Sequence, residues 1–305
     1  MVIDSLLKSL ALRKWGKSIL CQGVSCFDSL VCTGGNVCRQ SVRSVRASQR
    51  QFSVAIAHYN RGALIHRALF NLLDHPAVAE VVIVDDGSAT AQYSALEHAV
   101  AKIPGRERIR LHRRENNCGA LVSKGEAVER AASDWVLVLD SDNTAFRGYL
   151  NSFAAMQEPS ADSFFCAAWA FPFFAFHALE GCRLDLPACA QATRSGLLRS
   201  TYILNDGNYF VPREKYVSIV QSLAGTGRDG ADVMLVNYRW MTCGGAIEVL
   251  PGTSYVHRLD PGSLYKSTEG ESRARILDML SRLEKNLPCD EAYIAALREA
   301  GEVQR

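Results

Sequence analysis

The sequence contains no run of about 18 consecutive apolar residues, the length that a helix needs to cross a bilayer. It also has little net charge, because 34 Lys and Arg against 32 Asp and Glu give +2 over 305 residues. This balance excludes bulk binding to nucleic acid or to an anionic membrane. Internal repeats and low-complexity tracts are absent as well. What remains is an ordinary globular composition, 48% hydrophobic, long enough for one large domain or two small ones.

The ten cysteines include no C-x-x-C pair and are scattered through a long chain. Since no convincing secretory signal precedes them, we expect reduced thiols in a cytosolic protein. Four of them lie near the amino terminus, with wider gaps than zinc-ligand pairs usually show and no histidine among them: Cys21, Cys26, Cys32 and Cys38. This spacing disfavours a zinc site.

The first 50 residues differ in texture from the rest. "IDSLLKSLALRKWGKSIL" places leucines on one helical face and allows a membrane-surface helix, while residues 35–51 carry four arginines and no acid, as a transit peptide would. A loosely ordered leader is the simpler interpretation. We therefore predict a leader or poorly ordered segment over 1–50, a folded domain over 51–265 and a helical tail over 266–305.

From Phe52 onward, strand-like runs alternate with helical patterns. Strands are predicted at "FSVAIAHYN", "VAEVVIVDDGS", "RIRLHR" and "WVLVLDSDN". Helices are predicted between them, the first running from "RGALIHRAL" to a stop at Pro76 and the third within "NNCGALVSKGEAVERAAS". This alternation predicts an α/β fold, a mostly parallel sheet covered by helices on both faces.

The second half is less periodic. "SFFCAAWAFPFF" predicts a strand turning at Pro172, "NDGNYFVPREKY" a strand entered through a polar loop, and "GGAIEVLPGTSYVHR" a late strand bounded by Pro251. These strands can extend the same sheet with antiparallel pairs. Two amphipathic helices follow, in "SRARILDMLSRLEKNL" and "EAYIAALREA", and we expect them to pack on the domain.

Three of the predicted strands end in polar groups, "HYN", "DDGS" and "DSDN". In α/β sheets, ligands bind beyond the carboxyl ends of the strands. In an extended chain, Asp140 and Asp142 would point the same way. Two carboxylates about 5 Å apart repel by roughly 3 kcal/mol at an effective dielectric of about 20. We therefore expect a proton or a cation between them, and a divalent metal is the simplest choice.

In order and spacing, these motifs together with "GNYFVPRE" and "VLPGTSYVHR" resemble the family-two glycosyltransferases, over residues 52 to about 265. The resemblance implies the GT-A fold, a mixed and mostly parallel Rossmann-like sheet. It implies a hexosyltransferase-type enzyme that uses a nucleotide-diphosphate sugar, Mn²⁺ or Mg²⁺ and an aspartate base, and that inverts the anomeric centre.

The resemblance also implies roles for individual residues. The nucleotide-sugar group is His58, Asn60, Asp85, Asp86, Lys124, Asp140 and Ser141. The metal group is Asp142, Asp140 and His257. The sugar and acceptor loop is Asn205, Asp206, Gly207 and Asn208. The base is Asp232 or Asp229, and the sequence leaves that choice open.

Purely structural roles also fit several of these residues. Asp232 is a natural N-cap for "VMLVNYRW". Asp85 and Asp86 could simply be acids of a turn, and Lys124 a surface lysine. His257 could be hydrogen-bonded only to local groups. Trp169 and Trp240 could lie in the core or could instead stack on a sugar ring.

Two other function classes compete with the transferase. "VLVLDSDNT" also resembles haloacid-dehalogenase-type phosphatases, in which Asp140 would be the nucleophile, but the chain places at least two α/β units before it. A non-catalytic sugar-binding domain of the same fold is the second competitor. For the transferase, we expect a glycan or lipid-linked acceptor, a role in polysaccharide or glycolipid assembly, no nucleic-acid partner, and a cytoplasmic location that allows peripheral contact with the inner face of the plasma membrane.

Overall fold

The computed structural model describes residues 50–195, 202–227, 230–258 and 268–303. The strands in these residues are β1 (Phe52–His58), β2 (Val78–Asp85), β3 (Ile109–Arg113), β4 (Trp135–Val138), β5 (Thr144–Ala145), β6 (Ser163–Phe171), β7 (Phe174–Ala175), β8 (Arg183–Leu184), β9 (Tyr209–Pro212) and β10 (Ala246–Val256). The α-helices are α1 (Ile65–Leu69), α2 (Thr90–Ala101), α3 (Ala120–Glu129), α4 (Arg147–Ala154), α5 (Leu186–Arg194), α6 (Arg213–Ser222), α7 (Asp232–Thr242), α8 (Glu269–Glu284) and α9 (Glu291–Val303).

The strands form one mixed sheet in the order β3-β2-β1-β4-β9-β6-β10-β5, with β7 paired to β6 and β8 to β10. Strands β3, β2, β1 and β4 are parallel to one another. Strand β9 is antiparallel to both of its neighbours, whereas β6 and β10 are parallel to each other. The predicted α/β fold with a mostly parallel sheet is confirmed.

Strands β1 and β4 lie in the middle of the sheet because both of their faces are apolar. Val54, Ile56 and Val136 are fully buried. Aromatic rings extend this core, and the ring of Phe153 stacks on that of Phe210 with centroids 3.9 Å apart. Helix α3 packs on β1 and β2, and α4 packs against β10.

The two tryptophans that could have served as sugar platforms differ in position. Trp240 is buried, its ring stacks on Phe164 at 4.3 Å, and its indole N–H donates to the Ala246 carbonyl at 2.8 Å. Trp240 is therefore a core residue. Trp169 is half-buried on β6.

The first helix is shorter than predicted. A 3₁₀ turn over Gly62–Leu64 leads into α1, which ends at Leu69 rather than near Pro76. Phe70 ends the helix because its backbone is extended, with φ −60° and ψ 134°, and Asn71 then adopts a left-handed conformation with φ 68°. The predicted inward face survives in the turn that follows, because Leu72 is fully buried.

The last strand is longer than predicted. We expected Pro251 to bound it, but β10 runs through this residue to Val256. The pairing with β6 shifts register between Leu250 and Ser254, so the segment around Pro251 and Gly252 lies exposed in an irregular part of the ladder. Proline is tolerated at such a bulge because no ladder hydrogen bond is required of it.

The predicted tail helices are present as α8 and α9. Helix α8 contacts α5 and α7, and its Met279 and Leu283 are fully buried, as is Ile294 of α9. The expected packing of the tail on the domain is confirmed. In the described parts of the chain, no helix combines the length and the apolar character needed to span a membrane.

Candidate active site

The neighbouring strands β1 and β2 end at the same edge of the sheet, where His58 pairs with Asp85 in the ladder. Asp85 Oδ1 lies 2.8 Å from His58 Nδ1 and accepts a hydrogen bond from Ser88 Oγ at 2.5 Å. Burial raises the pKa of Asp85, but the hydrogen bonds from His58 and Ser88 outweigh burial and hold this pKa below its usual value. Both His58 and Asp85 are buried. These two side chains lie beneath the surface at this edge of the sheet, whereas the sequence analysis predicted contacts with a nucleotide.

Asp86, the second acid of the "DDGS" loop, is hydrogen-bonded to the loop that precedes α3. Asp86 accepts the backbone N–H groups of Cys118 at 2.9 Å and of Gly119 at 2.8 Å. Gly87 has φ 70°, and a Cβ added to it would lie 2.6 Å from the Asn116 carbonyl carbon. The two loops therefore touch through their backbones, and only glycine fits at position 87. Like Asp85, Asp86 is a buried acceptor already used by the chain.

Asn60 ties the end of β1 to the start of α2. Its side-chain Oδ1 accepts from the Ala89 N–H at 2.9 Å, and its own N–H donates to Ser88 Oγ at 2.8 Å. Asn60 itself is exposed, and the adjacent Tyr59 is 45% exposed. Among the strand-end residues predicted to bind nucleotide, Asn60 is thus at the surface whereas His58, Asp85 and Asp86 are beneath it.

The two acids that follow β4 do not face each other along a strand. The strand ends at Val138, and the Asn143 N–H donates to the Asp140 carbonyl at 3.1 Å, which closes a turn. Each carboxylate contacts its own cation. Lys124 Nζ lies 3.2 Å from Asp140 Oδ1, and an Arg61 guanidinium N–H donates to Asp142 Oδ2 at 2.7 Å. Each carboxylate therefore already has a protein cation as its partner.

The environments of the two acids differ. Burial raises the pKa of Asp140, but the nearby Lys124 outweighs burial and holds this pKa below its usual value. Burial and then repulsion from Asp140 raise the pKa of Asp142. Ser141 between them is buried. Asp140 thus remains ionised without a further cation, whereas Asp142 is the acid that an added cation would stabilise.

Lys124 joins the acids of this turn to the predicted base. Besides Asp140, its ammonium contacts Asp232 Oδ2 at 3.6 Å. Desolvation lowers the pKa of Lys124, but the carboxylates of Asp140 and Asp232 outweigh it and raise the pKa well above its usual value. The predicted N-cap role of Asp232 is wrong, because Ala231 is the N-cap of α7 and Asp232 is the first helical residue, with no side-chain cap hydrogen bond at this end. Asp229, the other base candidate, lies outside the described residues.

The predicted sugar and acceptor loop points mainly inward. Asn205 is exposed, but Asp206, Gly207 and Asn208 are buried. A Cβ added to Gly207 would lie 2.9 Å from the Val233 side chain, so this position has room for little but glycine. Only Asn205 of the four residues presents its side chain to solvent.

His257 follows β10 and is half-buried. Its Nδ1 lies 3.3 Å from the Tyr255 hydroxyl, and its ring meets the edge of Phe174 at a centroid distance of 5.4 Å. Its backbone N–H donates to the Phe171 carbonyl at 2.7 Å. The imidazole is therefore held from several sides rather than by one local partner.

The family model for "Glycosyl transferase family 2" matches residues 53–177, the segment that carries the strand ends just described. This segment, which is less than half of the chain, is similar to the family-2 glycosyl transferases. An uncharacterized glycosyltransferase, the MG060 homolog of Mycoplasma pneumoniae, is 32% identical over 111 residues, 35% of this chain and 37% of that protein. The succinoglycan biosynthesis proteins ExoU and ExoO of Rhizobium meliloti are 33% and 25% identical over 34% and 78% of this chain. The chain spans 37%, 30% and 66% of the lengths of these three relatives.

Solved structures show the same fold at low sequence identity. Staphylococcus aureus TarS in complex with UDP superposes with a TM-score of 0.51 at 18% identity, over 83% of this chain and 70% of that one. The mannosyltransferase PcManGT of Pyrobaculum calidifontis, in complex with GDP-Man and Mn²⁺, superposes with a TM-score of 0.52 at 17% identity, over 85% of this chain and 75% of that one. The predicted GT-A fold is confirmed.

Two arginines that contact the acid turn after β4 were missed by the sequence analysis. Arg61 pairs with Asp142. Arg258 donates its backbone N–H to Asn143 Oδ1 at 2.9 Å and its guanidinium to the Asp142 carbonyl at 2.5 Å and to Thr144 Oγ1 at 3.1 Å. Arg61 directly follows "HYN", and Arg258 is the last residue of "VLPGTSYVHR", so both lay in or next to motifs that the sequence analysis used.

No three His, Cys, Asp or Glu side chains of the described residues are grouped closely enough to form a metal site as they stand. The donors that suit a metal in the transferase domain are Asp140, Asp142 and His257. Desolvation has the largest effect on the pKa of both acids. Two carboxylates and an imidazole are acceptable to Mn²⁺. Binding of a divalent cation at Asp142 would require the Arg61 guanidinium to leave this carboxylate.

Proposed function

We propose that this protein transfers a sugar from a nucleotide-diphosphate sugar to an acceptor hydroxyl with inversion of the anomeric centre. The observation that carries the proposal is the position of Lys124, whose ammonium contacts both Asp140 at 3.2 Å and Asp232 at 3.6 Å. A carboxylate from the second half of the chain is thereby held beside the acid turn of the family-2 domain. Inverting transfer needs this combination of an anion-binding edge and a separate base.

Asp232 is the proposed base. Its side chain is only 13% exposed, and with the N-cap role removed the ion pair with Lys124 is the contact that defines its position. An ionised carboxylate can take the proton from the acceptor hydroxyl as that oxygen attacks the anomeric carbon.

The donor is proposed to lie across the carboxyl ends of β1, β2 and β4. The clamped backbones around Gly87 and Gly119, together with exposed Asn60 and Tyr59, form the nucleotide-facing surface, while the buried acids behind them keep the loops in place. We propose that Asp142 and His257, with Asp140, hold Mn²⁺ or Mg²⁺. When bound, such an ion supplies positive charge to the diphosphate leaving group.

The proposal also covers the acceptor. Two relatives are named as succinoglycan biosynthesis proteins. We propose a glycan or lipid-linked acceptor in polysaccharide or glycolipid assembly. The cytoplasmic location, with contact at the inner face of the plasma membrane, stays a prediction from the sequence.

The test is binding and transfer measured on the same variants. UDP and GDP are titrated by calorimetry with and without Mn²⁺, and transfer is followed with a panel of nucleotide sugars. Asp142→Ala is expected to abolish the metal-dependent part of binding. Asp232→Asn is expected to keep that binding and to lose transfer. Asp162→Asn, which changes an exposed acid paired with Lys215, is the matched control and should behave as wild type.

Three results would contradict the proposal. Phosphate release from simple monoesters without nucleotide binding would favour the phosphatase class. Nucleotide-sugar binding without transfer or hydrolysis for any donor and acceptor would favour a non-catalytic binding domain. A product that keeps the anomeric configuration of the donor, seen in the coupling constant of its anomeric proton, would refute inversion.

A further inference from the structure

The hairpin formed by β6 and β7 presents several aromatic rings at the surface. Residues 169–177 read "WAFPFFAFH", with five Trp or Phe rings and no Lys, Arg, Asp or Glu. Phe171 and Phe173 are 39% and 48% exposed, and Trp169 and Phe174 are half-buried. Single exposed apolar side chains are ordinary on a protein surface, whereas a group of them indicates a binding surface. We call these four residues the aromatic cluster.

The rings of the aromatic cluster are fixed by contacts within the hairpin. Trp169 and Phe171 meet edge to face with ring centroids 4.8 Å apart, and the centroids of Phe173 and Phe174 lie 6.2 Å apart. The Phe173 N–H donates to the Ala170 carbonyl at 2.9 Å and closes the turn between the two strands. A surface that is already ordered loses little freedom on binding, so its contacts contribute more to affinity.

The pairing of strands brings the aromatic cluster close to the acid turn after β4. Phe171 is paired with Val256 of β10, and Val256 is paired with Thr144 of β5, which follows the acid turn. Two strand spacings of about 4.8 Å put the backbone of Phe171 about 10 Å from that of Thr144. A short saccharide spans this distance, so an acceptor whose reacting hydroxyl lies at the acid turn would reach the rings.

The aromatic cluster also reaches the loop that was predicted to contact the sugar and the acceptor. The ring of Phe174 stacks on that of Tyr202 with centroids 4.9 Å apart. The Tyr202 carbonyl accepts the Asn205 N–H at 3.1 Å, and Asn205 is exposed. Small-molecule sites are usually made of apolar and aromatic surface with a few polar groups that fix orientation. Ring faces for the apolar side of a sugar and an amide for its hydroxyls therefore belong to one connected surface.

Area and charge distinguish a sugar from two other occupants. At about 150–250 Å² for a whole aromatic side chain, the exposed parts of Phe171 and Phe173 amount to roughly 130–220 Å². A stable interface between two copies takes about 800 Å² from each partner, so the patch is too small for that role. A membrane surface would require Lys or Arg beside the rings, whereas the group paired with the hairpin residue His177 is the acid Glu180. A sugar ring needs neither the larger area nor the positive charge.

We infer that Phe171 and Phe173 form a platform for a sugar ring of the acceptor, whose reacting hydroxyl points toward the acid turn. This inference deepens the proposed function, on which it rests for the transfer step, and it assigns the acceptor end as a carbohydrate. Trp169, which the sequence analysis placed either in the core or on a sugar ring, supports the ring of Phe171 from behind the platform.

The first experiment measures carbohydrate binding by the full chain without any donor. Saturation-transfer difference NMR and titrations use methyl glycosides of glucose, galactose, mannose and N-acetylglucosamine, and disaccharides of the same sugars. Phe173→Ala is expected to weaken the tightest of these interactions about 3- to 10-fold, the contribution of one aromatic contact. Phe173→Trp keeps an aromatic face and should bind within about threefold of wild type.

Phe70→Ala is the matched control. It removes a ring that is 62% exposed, more than that of Phe173, at the end of α1. Carbohydrate affinity in this variant should stay within about twofold of wild type.

The second experiment separates the acceptor from the donor in transfer kinetics. Phe173→Ala should raise the KM of the acceptor by the factor seen in binding, while the KM of the donor and kcat at saturating acceptor stay near the wild-type values. Thermal melting confirms that each variant is folded. A kcat that falls with no change in the acceptor KM would overturn the platform.

Three other results would also overturn the inference. They are a wild type that binds no saccharide of the panel, saccharide binding that is unchanged in both Phe171→Ala and Phe173→Ala, and binding to vesicles of phosphatidylcholine and phosphatidylglycerol, or dimerisation in analytical ultracentrifugation, that Phe173→Ala abolishes while saccharide binding persists. Failure of the proposed function would look different. Saccharide binding that depends on Phe173, in a protein that binds no nucleotide sugar, would keep the platform and refute the transferase.

Discussion

Replacing Lys124 with Met should destabilise the fold strongly, because one ammonium serves two acids. At an effective dielectric of about 20, the contacts of 3.2 Å with Asp140 and 3.6 Å with Asp232 are each worth roughly 5 kcal/mol before desolvation is subtracted. Removal leaves two largely buried carboxylates without their common cation. Breaking a buried pair in this way costs about 3–5 kcal/mol, and we expect about 3 kcal/mol in the free energy of unfolding near pH 7.

The pH dependence of this loss follows from the pKa shifts. The pKa of Asp140 is lowered in the folded protein, so its contribution is present above the unfolded value of about 3.9 and is lost as the pH falls through the folded value. The pKa of Lys124 is raised, so its contribution is fully present below about 10.4 and is lost only as the pH rises through the folded value. The difference between wild type and Lys124→Met should therefore be largest between about pH 5 and pH 10 and should shrink in acid.

Urea unfolding followed by circular dichroism at a series of pH values measures this difference, with the slope against urea checked for each variant. Lys215→Met is the control, because it removes an exposed pair with Asp162 and should change stability little at any pH. A Lys124→Met variant as stable as wild type at pH 7, or a loss that is the same at pH 3 and pH 7, would refute the reasoning.

Two further predictions concern glycines in tight contacts. Gly87→Ala should destabilise the fold by about 2 kcal/mol or more and weaken nucleotide binding, because the added Cβ would lie 2.6 Å from Asn116 at a residue with φ 70°. Gly181→Ala is the control, because Gly181 has φ 72° but open space around it, so urea unfolding should show only the cost of backbone strain. Equal losses of stability in the two variants would contradict the clash at Gly87. Gly245→Ala should cost about 3 kcal/mol, because its Cβ would lie 2.1 Å from the Trp240 ring; an unchanged melting temperature would contradict it.

The central strands and the tail helices could be predicted because their signals are local. Strands buried on both faces read as continuous aliphatic runs, as in Val136–Leu139, and the tail helices show one apolar face each. The strand ends that carry the site followed from the same pattern, since parallel strands end at a common edge. Helix and strand limits were predicted less accurately where one or two residues decided them, as with the extended Phe70 and the bulge around Pro251.

The internal contacts of the site depend on long-range packing that no local pattern records. The pairing of Lys124 with Asp232 requires α3 to pack beside α7. These helices are far apart in the sequence, with β9 and α6 among the elements between them. Asp206 was predicted in the sugar and acceptor loop, but it is buried just before β9, which runs through the middle of the sheet. Alternation along a strand put Asp140 and Asp142 on one side, whereas the chain turns immediately after Leu139.

The central claim is that Asp232 is the base of an inverting transfer whose donor is held by the acid turn. Single-turnover transfer by Asp232→Asn, at donor concentrations that saturate the Mn²⁺-dependent binding, tests it most directly. We predict donor affinity within a few-fold of wild type and a transfer rate lower by about 10²–10⁴, the usual contribution of a general base. Transfer at a rate close to that of wild type would contradict the claim and would place the base elsewhere in the chain.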